Sequence, residues 1–218
     1  DELKGVNNIR YVKDMGNMNR GQQIGLIIAQ GEYILWGISD DCLFFPLAID
    51  RTFDLYNSLV DIPLKAVCAK YLEGDSPDDH KIHMSSDRYI ISSQPTISSP
   101  YIPNNYIACA PMIISCAYLM ELGGWDCEFE SGAMSSIDVC IRAQRGGAKL
   151  VLTDFPIYHC SWCPDRAGDH APVHDSQTEH DYPLYLKIYR SIECINRIAI
   201  SLDNWKLQDD VWKRRFSN

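Results

Sequence analysis

The chain has 218 residues, of which 46% are hydrophobic, and a formal net charge of -9 at pH 7. A chain of this length and composition is expected to form one globular domain with a sizeable core. Proteins whose main partner is nucleic acid usually carry clustered cations, so this acidic chain, with no long basic run, is not expected to be one of them.

The sequence also lacks the usual membrane signals. The chain opens with the charged residues Asp1 and Glu2, and no apolar stretch follows them, so we predict no signal peptide. The longest apolar run, 106–120, is interrupted by Pro111 and is shorter than the roughly 20 residues that cross a bilayer. We therefore expect no membrane span and a cytoplasmic location.

The cysteines support the same location. Most of the nine lie in or beside apolar stretches, as small buried thiols do. These are Cys42, Cys68, Cys109, Cys116, Cys127, Cys140, Cys160 and Cys194. An odd number of cysteines in a chain of this length, with no secretory signal, favours a reducing compartment over a disulfide framework.

The first predicted elements are a helix, a strand and a second helix. Helix 22–30 has an apolar face at helical spacing, formed by Ile24, Ile27 and Ile28. The strand 32–38 follows it, and Pro46 opens the second helix. The apolar stripe of the second helix consists of Ile49, Phe53, Tyr56 and Val60.

The later elements continue the alternation of strands and helices. Strands are predicted at 64–71, 107–114 and 149–153, and a helix at 136–145 with Ser135 or Ser136 as its cap. Segments 73–103 and 156–182, rich in Pro, His and Asp, are predicted to be loops. Pro183 opens a last helix, whose apolar face consists of Leu184, Ile188, Ile192, Ile195 and Ala199. This alternation predicts an α/β sandwich.

Two neighbouring acids, Asp40 and Asp41, follow the predicted strand 32–38 directly. They are not both expected in the core, because an unpaired buried charge costs several kcal/mol. Open α/β sheets bind their ligands at the carboxyl ends of strands, and hard divalent cations prefer carboxylate oxygens. The pair therefore indicates a metal site, and the alternative is a cap for the helix that begins at Pro46.

Four segments of the chain match one known family in its order. They are 22–34 (QQIG, then AQGEYI), 39–41 (SDD), 122–126 (LGGWD) and 135–142 (SSIDVCIR), the last followed by a strand to His159. Together they resemble the family 2 glycosyltransferases of the GT-A fold. The resemblance implies a metal-dependent transferase that uses a nucleotide sugar.

The resemblance also implies a domain organisation. We expect one GT-A-like, Rossmann-like domain over 1–218, with a mixed sheet flanked by helices. Its metal-motif half would be 1–72, its acceptor and catalytic half 104–160, and its C-terminal loop and helix 161–218. The family's first strand, first helix and second strand would precede residue 1, so we expect the chain to be N-terminally truncated relative to the family.

Metal and donor contacts follow from the resemblance. Asp41 would be the direct ligand of Mn²⁺ or Mg²⁺, and Asp40 and Gln23 would contact the donor. His159 stands where the family often has a third metal ligand, and imidazole is acceptable to manganese beside carboxylates. The alternative for His159 is a loop histidine with satisfied hydrogen bonds.

The acceptor side is implied by the last two segments. Trp125 and Asp126 would bind the acceptor, since aromatic faces pack on sugar rings; alternatively, Trp125 is a buried ring after a Gly-Gly turn. Ser135 and Ser136 stand where the family has a Glu-Asp pair, which usually supplies the catalytic base. Asp138 keeps an acid there and is the candidate base, although a first-turn acid can also serve only to stabilise the helix dipole.

The histidines near the C-terminus have two interpretations. Cys160 and Cys163 have the spacing of zinc ligands, and several histidines lie nearby, which indicates a structural zinc site. The histidines concerned are His159, His170, His174 and His180. Otherwise these histidines line the acceptor side together with Asp169, Asp175 and Asp181.

The sequence therefore predicts an inverting glycosyltransferase that moves a sugar from a nucleotide sugar to a glycan, lipid-linked or protein acceptor. A metal ion would neutralise the leaving diphosphate, and a carboxylate would activate the acceptor hydroxyl. Two alternatives remain open. One is a non-catalytic or truncated relative that binds glycan or nucleotide, and the other is a zinc-stabilised interaction module.

Overall fold

The computed structural model describes residues 9–10, 17–36, 42–74, 83–84, 106, 112–160, 175–190 and 197–207. The strands in these ranges are β1 (Tyr33–Trp36), β2 (Cys42–Phe44), β3 (Lys65–Gly74), β4 (His83–Met84), β5 (Met112–Ser115) and β6 (Lys149–Cys160). The helices are α1 (Met18–Ile28), α2 (Ala48–Ser58), α3 (Cys116–Glu121), α4 (Gly132–Arg145) and α5 (Tyr182–Arg190). A π-helix (Ser176–Asp181) precedes α5, and a 3-10 helix (Leu202–Leu207) follows it.

The described strands form one mixed sheet in the order β1-β5-β3-β6-β2, with β4 paired to β3. β3 and β6 are parallel, and the other pairings within the described ranges are antiparallel. The parallel pair lies inside the sheet, where both faces are covered, and this explains the continuous apolar run from Ala66 to Ala69 in β3. The predicted α/β class with a mixed sheet is confirmed.

Alternate residues of the central strands face two different helix layers, as the two-residue period of a strand requires. Ala66 and Cys68 pack in the main core with residues of α1, α3 and α4. Val67 and Ile113 point to the opposite face and pack with Tyr56 of α2. The sheet is therefore flanked by helices on both faces, as predicted.

Helix α1 turns a different face to the core from the predicted one. It begins at Met18, four residues before the predicted start, with Asn17 as its N-cap, and ends at Ile28. Its buried residues are Asn19, Gln23 and Leu26, whereas Ile27 is 40% exposed. The predicted apolar face was wrong, because α1 packs on a loop whose backbone groups need polar partners.

The predicted stripe of α2 is correct only in part. The helix begins at Ala48, after Leu47 in a left-handed conformation, and ends at Ser58. Tyr56 is buried as predicted, but Ile49 is exposed, and Val60, beyond the helix end, is 77% exposed.

Helix α4 and strand β6 are both longer than predicted. α4 begins at Gly132 with Ser131 as its N-cap, so Ser135 and Ser136 are buried helical residues and not caps. β6 continues beyond Thr153, where the residue pattern ended it, through Pro156 to Cys160, in agreement with the strand to His159 that the resemblance implies. The register between β3 and β6 shifts just before Pro156, and such an irregularity lets a strand accommodate a residue without an N–H.

The last predicted helix begins as expected, and its predicted core face is correct in part, because Ile188 is buried and Leu184 packs against the core. Pro183 is the second residue of α5, and Tyr185 and Ile188 are its most buried residues. Ala199 lies outside the helix and is exposed, while Ile192 and Ile195 lie outside the described residues.

Five of the cysteines have described side chains, and these agree with the prediction in part. Cys116, Cys127 and Cys140 are buried as predicted, whereas Cys42 is partly exposed. Cys68 is buried but disulfide-bonded, so its assignment as a thiol was wrong. None of the described helices combines the length and hydropathy that a membrane crossing demands.

Candidate functional site

The predicted metal motif directly precedes β2 in the chain. Asp40 and Asp41 lie outside the described residues, between the end of β1 and the start of β2. Cys42 directly follows Asp41 in the chain and is the antiparallel register partner of His159. Such partners have Cα atoms about 4.5 to 5.5 Å apart. The fold therefore brings the residue after the acids next to the backbone of the third predicted ligand.

The same register position continues across the sheet. His159 of β6 is also the parallel partner of Glu73 in β3, and Glu73 is the antiparallel partner of His83 in β4. The sequence analysis missed Glu73, which it placed in a loop, because β3 continues three residues beyond the predicted end at Tyr71. Cys42, His159, Glu73 and His83 thus form a row across adjacent strands, which we call the sheet-edge row. Residue types that bind divalent metals therefore occupy neighbouring positions there.

The end of β1 contacts the LGGWD segment directly. Trp36 and Trp125 pack edge to face, with ring centroids 5.2 Å apart. Trp125 is 2% exposed, which fits the alternative of a buried ring after the Gly-Gly turn better than an open stacking surface. The end of β1 is therefore joined to the LGGWD segment by a contact within the core.

Gln23 joins α1 to the same loop. Its amide nitrogen donates to the carbonyl oxygens of Gly123 and Leu202, each at 2.9 Å, and its amide oxygen accepts the N–H of Trp125 at 2.8 Å. The side chain is fully buried. Both amide hydrogens are used within the protein, so this geometry gives no support to the predicted contact between Gln23 and the donor.

The loop itself requires its glycines. Gly123 and Gly124 have φ angles of 86° and 72°, a region that side chains rarely adopt. A Cβ atom on Gly124 would collide with Gln23, and one on Gly123 would collide with the backbone of Ile200. The two glycines of the LGGWD segment are thus explained by the close packing of this loop against α1 on one side and the 197–207 segment on the other.

Asp138 is enclosed by bonding partners. It is 0% exposed, and one carboxylate oxygen accepts a bond from Arg142 Nε at 2.8 Å. The other oxygen accepts a short hydrogen bond from the Tyr189 hydroxyl. Burial and the charge of Asp138 raise the pKa of Tyr189, so the hydroxyl stays protonated and keeps donating. Asp138 therefore does not lie at the edge of a site, and this geometry does not support its role as base.

Arg142 connects Asp138 to the glycine loop. Its two terminal nitrogens donate to the carbonyl oxygens of Leu122 at 2.6 Å and Gly124 at 2.5 Å. The guanidinium is as fully buried as the carboxylate that it neutralises. The acid and the arginine of the SSIDVCIR segment thus hold the LGGWD segment in place.

Asp126, the second predicted acceptor residue, is also paired. It accepts the backbone N–H of Glu128 at 2.9 Å and forms an ion pair with Arg197. Burial lowers the pKa of Arg197, but the negative charges of Asp138 and Asp126 outweigh it and raise that pKa above its usual value. The charge of Asp126 is therefore neutralised within the protein.

A different acid–imidazole group lies at the start of α4. His180 Nδ1 is 2.9 Å from an oxygen of Asp181 and 3.8 Å from an oxygen of Glu130. Asp181 is fully buried and accepts the backbone N–H groups of Glu130 and Ser131 at 2.8 and 2.6 Å. The imidazole is 31% exposed. Sequence analysis named His180 as a possible zinc ligand or lining residue and Asp181 as a lining residue, because their contacts with Glu130 join parts of the chain that are about 50 residues apart.

The zinc alternative has no support within the described side chains, where no three His, Cys, Asp or Glu residues are grouped as metal ligands. Cys163, His170 and His174 lie outside the described residues. A scan of protein-family models and a search of curated proteins find no match to this chain. The resemblance to family 2 glycosyltransferases therefore rests on the quoted segments.

Proposed function

We propose that this chain is part of a metal-dependent inverting glycosyltransferase, with a nucleotide sugar as donor and a glycan, lipid-linked or protein hydroxyl as acceptor. The observation that carries the proposal is the pairing of Cys42 with His159. It brings β2, which follows Asp40 and Asp41 in the chain, beside β6, which contains His159. A GT-A-like arrangement of the sheet is part of the proposal.

The residues near this pairing fit a hard divalent cation. Asp41 supplies a carboxylate and His159 an imidazole, and the register adds Glu73 on the neighbouring strand. Mn²⁺ accepts such a mixed set, and when bound it neutralises charge on the leaving diphosphate. Asp40 contacts the donor ribose or a metal-bound water in this proposal, whereas Gln23 does not take part.

One observation favours a non-catalytic glycan-binding or nucleotide-binding relative as the second candidate. Both carboxylate oxygens of Asp138 accept hydrogen bonds, from Arg142 and Tyr189. Ser135 and Ser136 stand where the family has its Glu-Asp pair. Such a protein would bind a nucleotide sugar without turnover. A cytoplasmic location stays a prediction, and the disulfide at Cys68 speaks against it.

Calorimetric binding of a panel of UDP-, GDP-, CMP- and dTDP-sugars, with and without Mn²⁺, tests the proposal. We expect one donor to bind only with Mn²⁺, and Asp41→Asn to abolish that binding. Asp50→Asn, an exposed acid in the first turn of α2, is the matched control and should bind like the wild type. Equal affinity of Asp41→Asn and wild type would overturn the metal role, and binding without donor hydrolysis would favour the second candidate.

A further inference from the structure

The proposed reaction needs a group that accepts the proton of the acceptor hydroxyl. The family-like position is occupied by Ser135 and Ser136, and Asp138 has both oxygens engaged in a buried cluster. A carboxylate held by a buried arginine is a poor proton acceptor, because its charge is already neutralised. Another titratable group, His180, lies beside Glu130, just before the start of α4.

His180 has the surroundings of a catalytic imidazole. Nδ1 lies 2.9 Å from an oxygen of the buried Asp181, and because an ionised carboxylate can only accept, this contact favours the tautomer with the proton on Nδ1. Nε2 is then the basic nitrogen of the ring, and the ring is partly exposed. An acid that fixes the tautomer in this way is the arrangement that makes histidine an effective base.

The support for the imidazole is itself rigid. Asp181 is held by two backbone N–H groups that precede α4, and its position ends the π-helix Ser176–Asp181, a helix type often found at functional sites. Glu130, with a side chain 2% exposed, provides a second carboxylate near Nδ1. Two carboxylates beside one ring stabilise the imidazolium that forms when Nε2 takes a proton.

Other titratable groups surround the π-helix. The π-helix and the residue before it carry the exposed acids Asp175 and Glu179, and α5, which packs against it, carries Tyr182 and Lys187. The negative charges nearest to the imidazole among the described residues are those of Asp181 and Glu130.

We propose that His180, positioned by Asp181, is the base of the glycosyl transfer, an inference that rests on the proposed function. The hydroxyl proton moves to Nε2 as the acceptor oxygen forms a bond to the anomeric carbon of the donor. The bond from that carbon to the diphosphate oxygen breaks, and its electron pair leaves with the diphosphate. Glu130 and Asp181 balance the charge of the resulting imidazolium.

The test uses water as acceptor, so that the natural acceptor need not be known. Hydrolysis of the donor that binds with Mn²⁺ is measured from pH 5 to 9 for the wild type, His180→Gln and Glu179→Gln. General base catalysis contributes about 100-fold to 10,000-fold, so His180→Gln should lose at least about 100-fold in kcat at unchanged donor affinity. Glu179→Gln, an exposed acid on the same helix, should stay within about twofold.

A second measurement separates positioning from chemistry. Nitrogen-15 NMR of the wild type should show the Nδ1–H tautomer at His180, and Asp181→Asn should lose it together with activity. Hydrolysis by His180→Gln at the wild-type rate, or an Nε2–H tautomer in the wild type, would overturn the inference while donor binding stands. Failure of every donor to bind would instead overturn the proposed function, and the inference with it.

Discussion

Two regions of the molecule contain predicted site residues, and they differ in how these residues contribute to the fold. Around Gly123 and Gly124, the side chains of Gln23, Arg142 and Asp138 are fully buried and bonded within the protein. At the sheet-edge row, Cys42 and His159 are paired through the backbone, and this pairing does not depend on which side chains the two positions carry. The segments that resemble family 2 glycosyltransferases thus contain residues that build the fold.

The largest effect is expected from Arg142→Met in the buried region. The substitution leaves the carboxylate of Asp138 buried with no positive partner at that position and removes donors from two carbonyl oxygens of the glycine loop. We expect a loss of about 3 to 5 kcal/mol in the free energy of unfolding, measured by urea denaturation.

The double variant with Asp138→Asn and Arg142→Met provides the control for this prediction. It should lose less stability than the sum of the two single variants, because it does not leave a buried charge alone. A loss of less than about 1 kcal/mol for Arg142→Met alone would show that the network is not structural.

A smaller effect is expected from Gln23→Ala, which leaves the N–H of Trp125 and two carbonyl oxygens without their partner. We expect a loss of about 2 to 4 kcal/mol, because each unsatisfied buried group costs about 1 to 3 kcal/mol. The exposed Gln30→Ala is the control and should change stability by less than about 0.5 kcal/mol. The variant should still bind the nucleotide sugar when folded; a loss of donor affinity without a loss of stability would restore Gln23 to the site.

The smallest effect on stability, with the clearest effect on function, is expected at His159. His159→Gln should change the free energy of unfolding by less than about 1 kcal/mol, because β6 is held by its backbone pairing on both sides. Donor affinity in the presence of Mn²⁺ should fall at least about 10-fold. Lys149→Gln, an exposed residue at the other end of β6, should leave that affinity unchanged. Unchanged affinity of His159→Gln would remove the sheet-edge row from the metal site.

The elements were predictable to the extent that local patterns decide them. The apolar run of β3 and the Gly-Gly turn were visible because burial and positive φ angles select particular residues. The face of α1 was not predictable, because the buried Asn19 and Gln23 bond to backbone groups of the distant 123–131 loop. The extension of β6 through Pro156 likewise depends on its partner strand.

By itself, the sequence determined the α/β alternation, the glycine loop and the residue types that could hold a metal ion, because these depend on local spacing and on side-chain chemistry. Only the tertiary structure decided which of those residues are buried and bonded within the core. Asp138 was the predicted base, but Arg142 and Tyr189 enclose it. His180 was predicted as a zinc ligand or a lining residue, but Asp181 and Glu130 lie beside it. The reason is physical: the reactivity of a carboxylate or an imidazole depends on burial and neighbouring charge, and both are set by contacts between distant parts of the chain.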